Sequence, residues 1–311
     1  MCGEFEEHLL YQYDEETLVH HINRSKISSG SSSLFFLSPN LVAKRYPRGE
    51  ESGPLIAIRR ARQLGIPVPS IQRVVESHDR HNIYVISDRI RGRTLEDAWI
   101  SLSWLRSLLL AIQLRRFVRK MRSLTSKTAG SLSDGKCRSM WLGTYYGLPP
   151  HASSEAITAF VRYWYNVSPL PSRKRKAAAY RASSSSPSIL TGTAATFEPD
   201  RHFPLTFSHQ DLAPRNIIVD EKFRLWLLDW DQSGWYPIYF EYVCMQNFSI
   251  PFSWGLLAKV RWWMFCWVSV GIYSKEQEVL HQALVNFTRF AVDQEGIPLQ
   301  GTAMRLPAQP R

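Results

Sequence analysis

The chain has 311 residues, of which 44% are hydrophobic and 21% are charged, the composition of a globular protein that can bury its own core. Its most apolar stretch, residues 262–273, is shorter than the about 20 residues that cross a bilayer, and its first residues lack a signal-like apolar core. The cysteines fit neither a disulfide framework nor a metal site, and they are Cys2, Cys137, Cys244 and Cys266. We therefore expect a cytoplasmic protein that has no membrane partner.

The net charge of +11 makes a nucleic-acid partner an alternative to consider, because clustered Lys and Arg residues release counterions from phosphates. The basic clusters, at residues 59–62, 115–122 and 173–176, are scattered along the chain, and no nucleic-acid-binding motif accompanies them. A nucleic-acid function would require these clusters to converge on one face. Solvated surfaces are the simpler interpretation, so the sequence does not favour a nucleic-acid partner.

Residues 1–91 have the pattern of a small β-sheet with one helix. Two short apolar runs, 34–37 and 41–44, flank the turn residues 38–40, and two further strand-like runs follow at 71–75 and 83–86. Between them, apolar residues at positions 55, 58, 61 and 64 have helical spacing. We expect this helix to stop at Gly65, which an extended Pro-rich run follows.

Beyond residue 94 the pattern becomes mainly helical. Residues 101–124 predict a long helix that turns Leu105, Leu109, Ile112 and Val118 toward the core, and residues 154–165 predict another helix. Residues 166–203 are basic and rich in serine, and we expect a flexible insert there because such a segment buries too little to offset its ordering entropy. The aromatic run between residues 254 and 267 favours core packing over a binding pocket.

A β-hairpin near residue 220 brings polar side chains together. The apolar runs 217–219 and 225–228 are joined by a polar turn, which is typical of two antiparallel strands. Paired strands lie about 4.8 Å apart, so Asn216, before the first strand, and Asp229, after the second, are expected to be neighbours. Asp211 lies in the loop that leads into this hairpin. An amide oxygen and a carboxylate that can share Mg²⁺, beside a second carboxylate, are groups that phosphoryl transfer requires.

The spacing His209-x-Asp211-x-x-x-x-Asn216, followed by Asp229-x-Asp231, resembles the motif of the aminoglycoside phosphotransferase family and its choline-kinase-like relatives. The resemblance implies that Asp211 is the catalytic base that orients the acceptor hydroxyl and that His209 braces the catalytic loop. It also implies that Asn216 and Asp229 hold Mg²⁺. Asp231 matches a further acidic position of the family.

The N-terminal segment carries the same resemblance. Lys44, in the run 42–44, is similar to the family's strand lysine, which contacts the α- and β-phosphates of the nucleotide. Residues 83–95 resemble the family's hinge strand and the segment that leads into its helical lobe. The resemblance implies that backbone groups around Ser87, Asp88 and Arg89 contact adenine.

Together these features imply an α+β protein with a two-lobed, protein-kinase-like fold. A small, β-rich, nucleotide-binding lobe would comprise residues 1–91, and a larger, mainly helical lobe with the catalytic loop would comprise residues 92–311. The implied activity is Mg²⁺-dependent transfer of the γ-phosphoryl group of ATP or GTP to a hydroxyl group of a small molecule. The nucleotide and this small-molecule acceptor are the implied partners.

Two departures from the family pattern favour an alternative. The helix expected after Lys44 carries no glutamate near residues 55–57 to pair with that lysine, although Glu50 and Glu51 precede it. No G-x-G-x-x-G phosphate loop is present, and the serine-rich run 28–33 is open to two interpretations, a substitute whose backbone N–H groups cradle phosphates or a plain flexible loop. A catalytically weak pseudokinase, acting as a nucleotide-binding or protein-interaction module, would show both departures.

Overall fold

A five-stranded antiparallel sheet forms the N-terminal lobe in the computed structural model, which describes residues 4–28, 31–143, 148–166 and 204–290. The strands are β1 (Lys26–Ile27), β2 (Leu34–Phe36), β3 (Leu41–Pro47), β4 (Ile71–Glu76) and β5 (Asn82–Asp88). Their order in the sheet is β1-β2-β3-β5-β4. β2 and β3 pair around the predicted turn, and β3 pairs along its whole length with β5, so that Lys44 lies opposite Val85 in the centre of the sheet.

Helix α1 (Glu15–Arg24) precedes the sheet and was not predicted from the sequence. It begins after Asp14, whose carboxylate accepts a hydrogen bond from the backbone N–H of Thr17 at 2.7 Å and so caps the helix. Its apolar side chains Leu18 and Ile22 are fully buried in the core of this lobe. We did not recognise this short amphipathic helix in the sequence because its first turn is acidic.

Helix α2 (Ser52–Gln63) is the helix predicted between the strands. It buries Ala57 and Ala61 and ends just before Gly65, whose φ of +65° lies in the left-handed region that favours glycine at a helix end. The predicted helix and its end are therefore confirmed.

A short linker, residues 89–92, leads from β5 of the first lobe into the second lobe. Strand β6 (Arg93–Thr94) follows it and pairs with β10 (Ile217–Val219). Gly92 in this linker has a φ of +151°, and a Cβ atom there would lie 2.4 Å from the carbonyl oxygen of Val219. Only glycine can make this close approach without moving the backbone.

The C-terminal lobe is mainly helical and holds two small sheets. Its helices are α3 (Leu95–Ala98), α4 (Trp104–Arg122), α5 (Ser154–Asn166), α6 (Phe240–Gln246), α7 (Leu256–Val270) and α8 (Ser274–Phe290). The remaining strands are β7 (Thr125–Ser126), β8 (Gly130–Ser131), β9 (Leu205–Ser208), β11 (Leu225–Leu227) and β12 (Gly234–Pro237). One sheet has the order β11-β10-β6 and the other β7-β9-β12-β8. The predicted hairpin is confirmed as the antiparallel pair β10–β11, with Ile217 opposite Leu227.

The inward face of α4 is not the one that the spacing predicts. Leu105, Leu109 and Ile112 are 67%, 51% and 37% exposed, and of the predicted set Val118 alone is buried. Helix α4 is apolar on two sides, so periodicity does not decide which side packs inward. The buried side runs through Ser107, Leu110, Ala111, Leu114, Phe117, Val118 and Met121.

The aromatic run near residue 260 divides between core and surface. Trp254 and Trp262 are buried and pack against Trp99, with ring centroids 5.4 Å apart in each pair. The predicted core packing is confirmed for these two residues. Trp263 and Trp267, one turn apart on α7, are instead 39% and 45% exposed.

The predicted α+β fold, with a small β-rich lobe and a larger, mainly helical lobe, is confirmed. The boundary at residues 91 and 92 stays a prediction. Of the predicted insert, residues 167–203 lie outside the described residues, as do residues 29 and 30 of the serine-rich run. Within the described ranges, no helix is long and apolar enough to cross a membrane.

Candidate active site

His209 joins the loop after β9 to the end of β11. Its Nε2–H donates to the carbonyl oxygen of Leu228 at 2.9 Å, and its Nδ1 accepts the backbone N–H of Asp211 at 3.2 Å. These two bonds assign the proton of the neutral ring to Nε2. The ring is fully buried and packs 4.4 Å from the ring of Trp230. His209 therefore connects its own loop to the end of β11, and the bracing role implied by the resemblance stays a prediction.

Asp211 points into a small network of its own loop. Both carboxylate oxygens accept hydrogen bonds from Arg215 Nη2 at 3.0 Å, and Oδ2 also accepts one from Asn216 Nδ2 at 2.8 Å. Arg215 was not singled out from the sequence, although its position four residues after Asp211 is the signal that could have found it. The two donors hold the carboxylate in one orientation.

Asn216 and Asp229 lie at the same end of the β10–β11 hairpin, as the pairing predicts. The backbone N–H of Leu228 donates to the carbonyl oxygen of Asn216 at 2.9 Å, which places Asp229 one residue beyond this pair. Asp229 has a φ of +62°, an uncommon backbone conformation for a residue other than glycine. Such strain is typical of sites where the side chain must face one direction.

Lys44 joins the N-terminal lobe to this end of the hairpin. Its Nζ donates to Asp229 Oδ1 at 2.7 Å and to Asp231 Oδ2 at 2.6 Å. Tyr46, two residues along β3 and therefore on the same side of the strand, donates its hydroxyl hydrogen to Asp231 Oδ1 at 2.9 Å. Lys44, Asp229 and Asp231 thus form an ion-pair cluster that Tyr46 completes.

This cluster takes the place of the glutamate that the sequence lacks. Helix α2 contains no acidic residue. It starts after Glu51, so Glu50 and Glu51 both precede the helix. Glu51 instead accepts hydrogen bonds from the backbone N–H of Gly49 at 2.7 Å and from the hydroxyl of Ser52 at 3.1 Å. The carboxylates that orient Lys44 come from the C-terminal lobe.

The two carboxyl groups of this cluster differ in how firmly they are ionised. Burial disfavours the charge of Lys44, but the two neighbouring carboxylates outweigh it and raise the pKa of the ammonium group. Burial likewise opposes ionisation of Asp229, but the charge of Lys44 lowers the pKa of this carboxyl below its ordinary value. Burial and the adjacent Asp229 charge raise the pKa of Asp231. Asp229 is therefore the more firmly ionised carboxylate of the pair.

Glu241 anchors the backbone of the same loop and was missed in the sequence. It lies on α6 and is 1% exposed, and its Oε1 accepts the backbone N–H groups of His209 and, at 3.1 Å, of Gln210. Gln210 has a φ of +64°, so the chain turns sharply at this point. Glu241 stands about 30 residues from the motif, and its position in the sequence gives no sign of this contact.

The predicted adenine-contacting segment lies at the end of β5. The backbone N–H of Asp88 donates to the carbonyl oxygen of Ser70, and that of Arg89 donates to the carbonyl oxygen of Asn40, at 2.9 and 2.8 Å. These two N–H groups are therefore already satisfied. Contact of Ser87, Asp88 and Arg89 with adenine stays a prediction, and in this conformation it would have to use other groups of the segment.

The oxygen atoms of Asn216 and Asp229 fit a hard divalent cation. The Nδ2 of Asn216 donates to Asp211, and its Oδ1 accepts no hydrogen bond from the described residues. Amide and carboxylate oxygens are the ligands that Mg²⁺ prefers, and Mg²⁺ needs few of them because it keeps several waters. Within the described residues no group of three or more His, Cys, Asp or Glu side chains could hold a metal ion, so the fit rests on these two oxygen ligands.

In protein kinases the nucleotide-binding lysine lies on a strand of the small lobe, and the Asp and Asn that hold Mg²⁺ lie in the other lobe, which is how Lys44, Asp229 and Asn216 are distributed here. A family model for the phosphotransferase enzyme family matches residues 24–260, and the chain belongs to this family. Its general class is therefore that of small-molecule phosphotransferases. No curated protein matches the chain.

Several solved structures are similar to the chain at low sequence identity. A thermostable mutant of aminoglycoside phosphotransferase APH(4)-Ia, in its apo form, is 12% identical with a TM-score of 0.49, and the match covers 88% of this chain and 89% of that one. Aminoglycoside phosphotransferase APH(3'')-Id from Streptomyces rimosus, in complex with ADP and streptomycin, is 16% identical with a TM-score of 0.44, and the match covers 80% of this chain and 87% of that one.

Proposed function

We propose that the chain transfers the γ-phosphoryl group of ATP or GTP to a hydroxyl group of a small molecule. The observation that supports it best is the contact of Lys44 with Asp229 between the two lobes, at 2.7 Å. In this proposal Lys44 is the cation for the phosphate oxygens and Asp229 is a carboxylate for the metal ion, and their contact supports it. Membership of the phosphotransferase enzyme family supports the same reaction.

Each side chain has a defined part in this proposal. Asp211 orients the acceptor hydroxyl and takes its proton, and Arg215 and Asn216 fix the carboxylate in place. Lys44 contacts the α- and β-phosphates with its ammonium group, of whose three N–H donors Asp229 and Asp231 use two. Asn216 and Asp229 would hold Mg²⁺, which supplies positive charge to neutralise the phosphate oxygens when bound.

Positioning carries most of such a reaction, because phosphoryl transfer passes through a loose transition state. His209 and Glu241 hold the backbone of the loop from two sides, so Asp211 needs little reorganisation to meet an acceptor. A buried, braced loop of this kind favours catalysis over a purely structural role.

A catalytically weak pseudokinase is the second candidate. The observation in its favour is that α2 supplies no glutamate, so Lys44 is held by Asp229 and Asp231, one of which would also hold the metal ion. This candidate predicts nucleotide binding without turnover, or no binding. It would make the chain a nucleotide-binding or protein-interaction module.

Nucleotide binding is the first property to test. We expect ATP or GTP to raise the thermal unfolding midpoint of the purified protein in the presence of Mg²⁺, and we expect Asp229→Ala to abolish that shift. Asp79→Asn, in the turn between β4 and β5, is the matched control and should retain the shift. A folded wild-type protein that shows no shift with either nucleotide would contradict the proposed site.

Turnover separates the enzyme from the pseudokinase. With a panel of hydroxylated acceptors, we expect phosphoryl transfer by the wild type and a loss of about a hundredfold or more in Asp211→Ala, the usual contribution of a catalytic base. Nucleotide binding by this variant should stay close to that of the wild type. Transfer that survives in Asp211→Ala would show that Asp211 is not the base.

A further inference from the structure

Helices α4 and α7 pack along each other and present a common outer side. They run in the same direction: just before α4, Trp99 Nε1 donates to the carbonyl oxygen of Ala258 near the start of α7 at 2.9 Å, and further along, the hydroxyl of Ser269 donates to the carbonyl oxygen of Ala111 at 3.3 Å. Between them the two helices expose a set of large apolar side chains, here called the α4–α7 face. Its members include Trp104, Leu105 and Leu109 of α4 and Leu257, Trp263 and Trp267 of α7.

The α4–α7 face brings large exposed apolar side chains together on two helices that pack against each other. These six side chains are between 39% and 71% exposed, and they stand on two adjacent helices rather than scattered over the surface. The largest apolar patch of a soluble monomer is usually a few hundred Å², and larger ones mark interaction sites. The tryptophans behind it, Trp99 and Trp262, pack edge to face, so the face has a rigid base.

The charged residues of α4 and α7 all have one sign. Neither helix contains an aspartate or a glutamate. The C-terminal half of α4 exposes Arg115, Arg116 and Arg119 beside the apolar residues, and Lys259 lies among those of α7. A second copy of the chain would bring these cations together, which disfavours self-association through this face. An anionic partner would be complementary.

We propose that the α4–α7 face docks on the surface of a membrane that contains anionic lipids. Half-exposed tryptophans with leucines beside them suit the boundary between headgroups and acyl chains, where an indole ring has one apolar and one polar environment. Neighbouring Arg and Lys side chains reach anionic headgroups. The protein would lie on the membrane without crossing it. The expectation from the sequence that the protein has no membrane partner considered only spanning segments, and docking on a surface does not depend on the proposed phosphotransferase reaction.

Vesicle sedimentation tests the proposal with the full chain. We expect the protein to sediment with vesicles of phosphatidylcholine and phosphatidylserine, to bind vesicles of phosphatidylcholine alone much more weakly, and to be released by salt. Arg116→Gln should weaken the binding about fivefold, the effect of one basic residue near an anionic surface.

Two valines provide a matched pair of variants. Val260, on the α4–α7 face, is 40% exposed, and Val74, on β4 of the other lobe, is 44% exposed. We expect Val260→Asp to weaken vesicle binding on the order of tenfold or more, through lost apolar burial and an added negative charge, and Val74→Asp to leave it unchanged. Circular dichroism and thermal unfolding check that both variants fold.

Other outcomes would overturn the proposal. Failure of the folded wild type to sediment with anionic vesicles would do so, as would equal binding by the two valine variants. A dimer of the wild type that Val260→Asp dissociates, measured by light scattering after size-exclusion chromatography, would assign the face to a second copy. Equal binding to vesicles with and without phosphatidylserine would show that the basic residues do not contribute to docking.

Discussion

Replacing Glu241 by alanine is expected to destabilise the protein far more than replacing it by glutamine. Glu241 Oε1 accepts the backbone N–H groups of His209 and Gln210, and all three residues are buried. Alanine leaves both donors without an acceptor, at about 1–3 kcal/mol for each, so we expect a loss of roughly 2–6 kcal/mol in the free energy of unfolding. Glutamine keeps an accepting oxygen at the same position and should cost little.

The dependence on pH distinguishes the glutamine variant from the wild type. Burial raises the pKa of Glu241 above its ordinary value of 4.5, against the opposing influence of His209 and the two backbone N–H groups. Between 4.5 and the raised pKa, the folded protein holds a proton that the unfolded chain releases. The stability of the wild type therefore falls as the pH rises through this window. Glu241→Gln has no such proton, so its stability relative to the wild type should grow with pH.

Urea denaturation of the wild type and both variants, from mildly acidic to neutral pH, measures these differences. Glu221→Ala, at an exposed glutamate in the β10–β11 turn, is the control and should change the unfolding free energy by less than about 0.5 kcal/mol. An equal loss of stability in Glu241→Ala and Glu241→Gln would contradict the role of Glu241 Oε1 as the acceptor of these two N–H groups. A difference between Glu241→Gln and the wild type that is constant with pH would refute the raised pKa.

Two further substitutions probe the contact between the lobes and the linker. Tyr46→Phe removes the hydroxyl bound to Asp231, which should lower the free energy of unfolding by about 1.5–3 kcal/mol. The same substitution should raise the KM for nucleotide more than it lowers kcat. Thermal unfolding and steady-state kinetics measure these effects, and an unchanged KM would count against a positioning role of Tyr46. Gly92→Val places a Cβ atom 2.4 Å from the carbonyl oxygen of Val219 and should destabilise the protein by more than about 1 kcal/mol in urea denaturation, whereas an unchanged midpoint would show that the linker can move aside.

The parts of the site that the sequence predicts are those that local pairing determines. The hairpin brings Asn216 and Asp229 together because a short turn fixes the register of its two strands, and both residues flank it directly. His209 and Asp211 are close in the chain, so the spacing of the motif also contains their contact. Local geometry of this kind can be read without knowing how the lobes pack.

The sequence did not predict the contacts between distant segments, because these contacts depend on how the lobes and helices pack. The partners of Lys44 are about 185 residues away, and the loop anchor Glu241 sits on a helix with no motif of its own. The face of α4 was assigned incorrectly because leucines occupy both of its sides, and the choice between them is made by α7 and the sheets beneath. Tertiary packing carries this information, and hydrophobic periodicity does not.

The burial of β9 has a consequence for motion. Every residue from Leu205 to Gln210 is buried, and β9 lies between β7 and β12 in its sheet, so hydrogen exchange of its amides should require an opening nearly as large as global unfolding. Lys44 belongs to the other lobe, which is joined to this one by the short linker at Gly92. Opening of the cleft between the lobes would therefore come from a hinge rotation of the N-terminal lobe at this linker, while β9 and the loop after it stay in place.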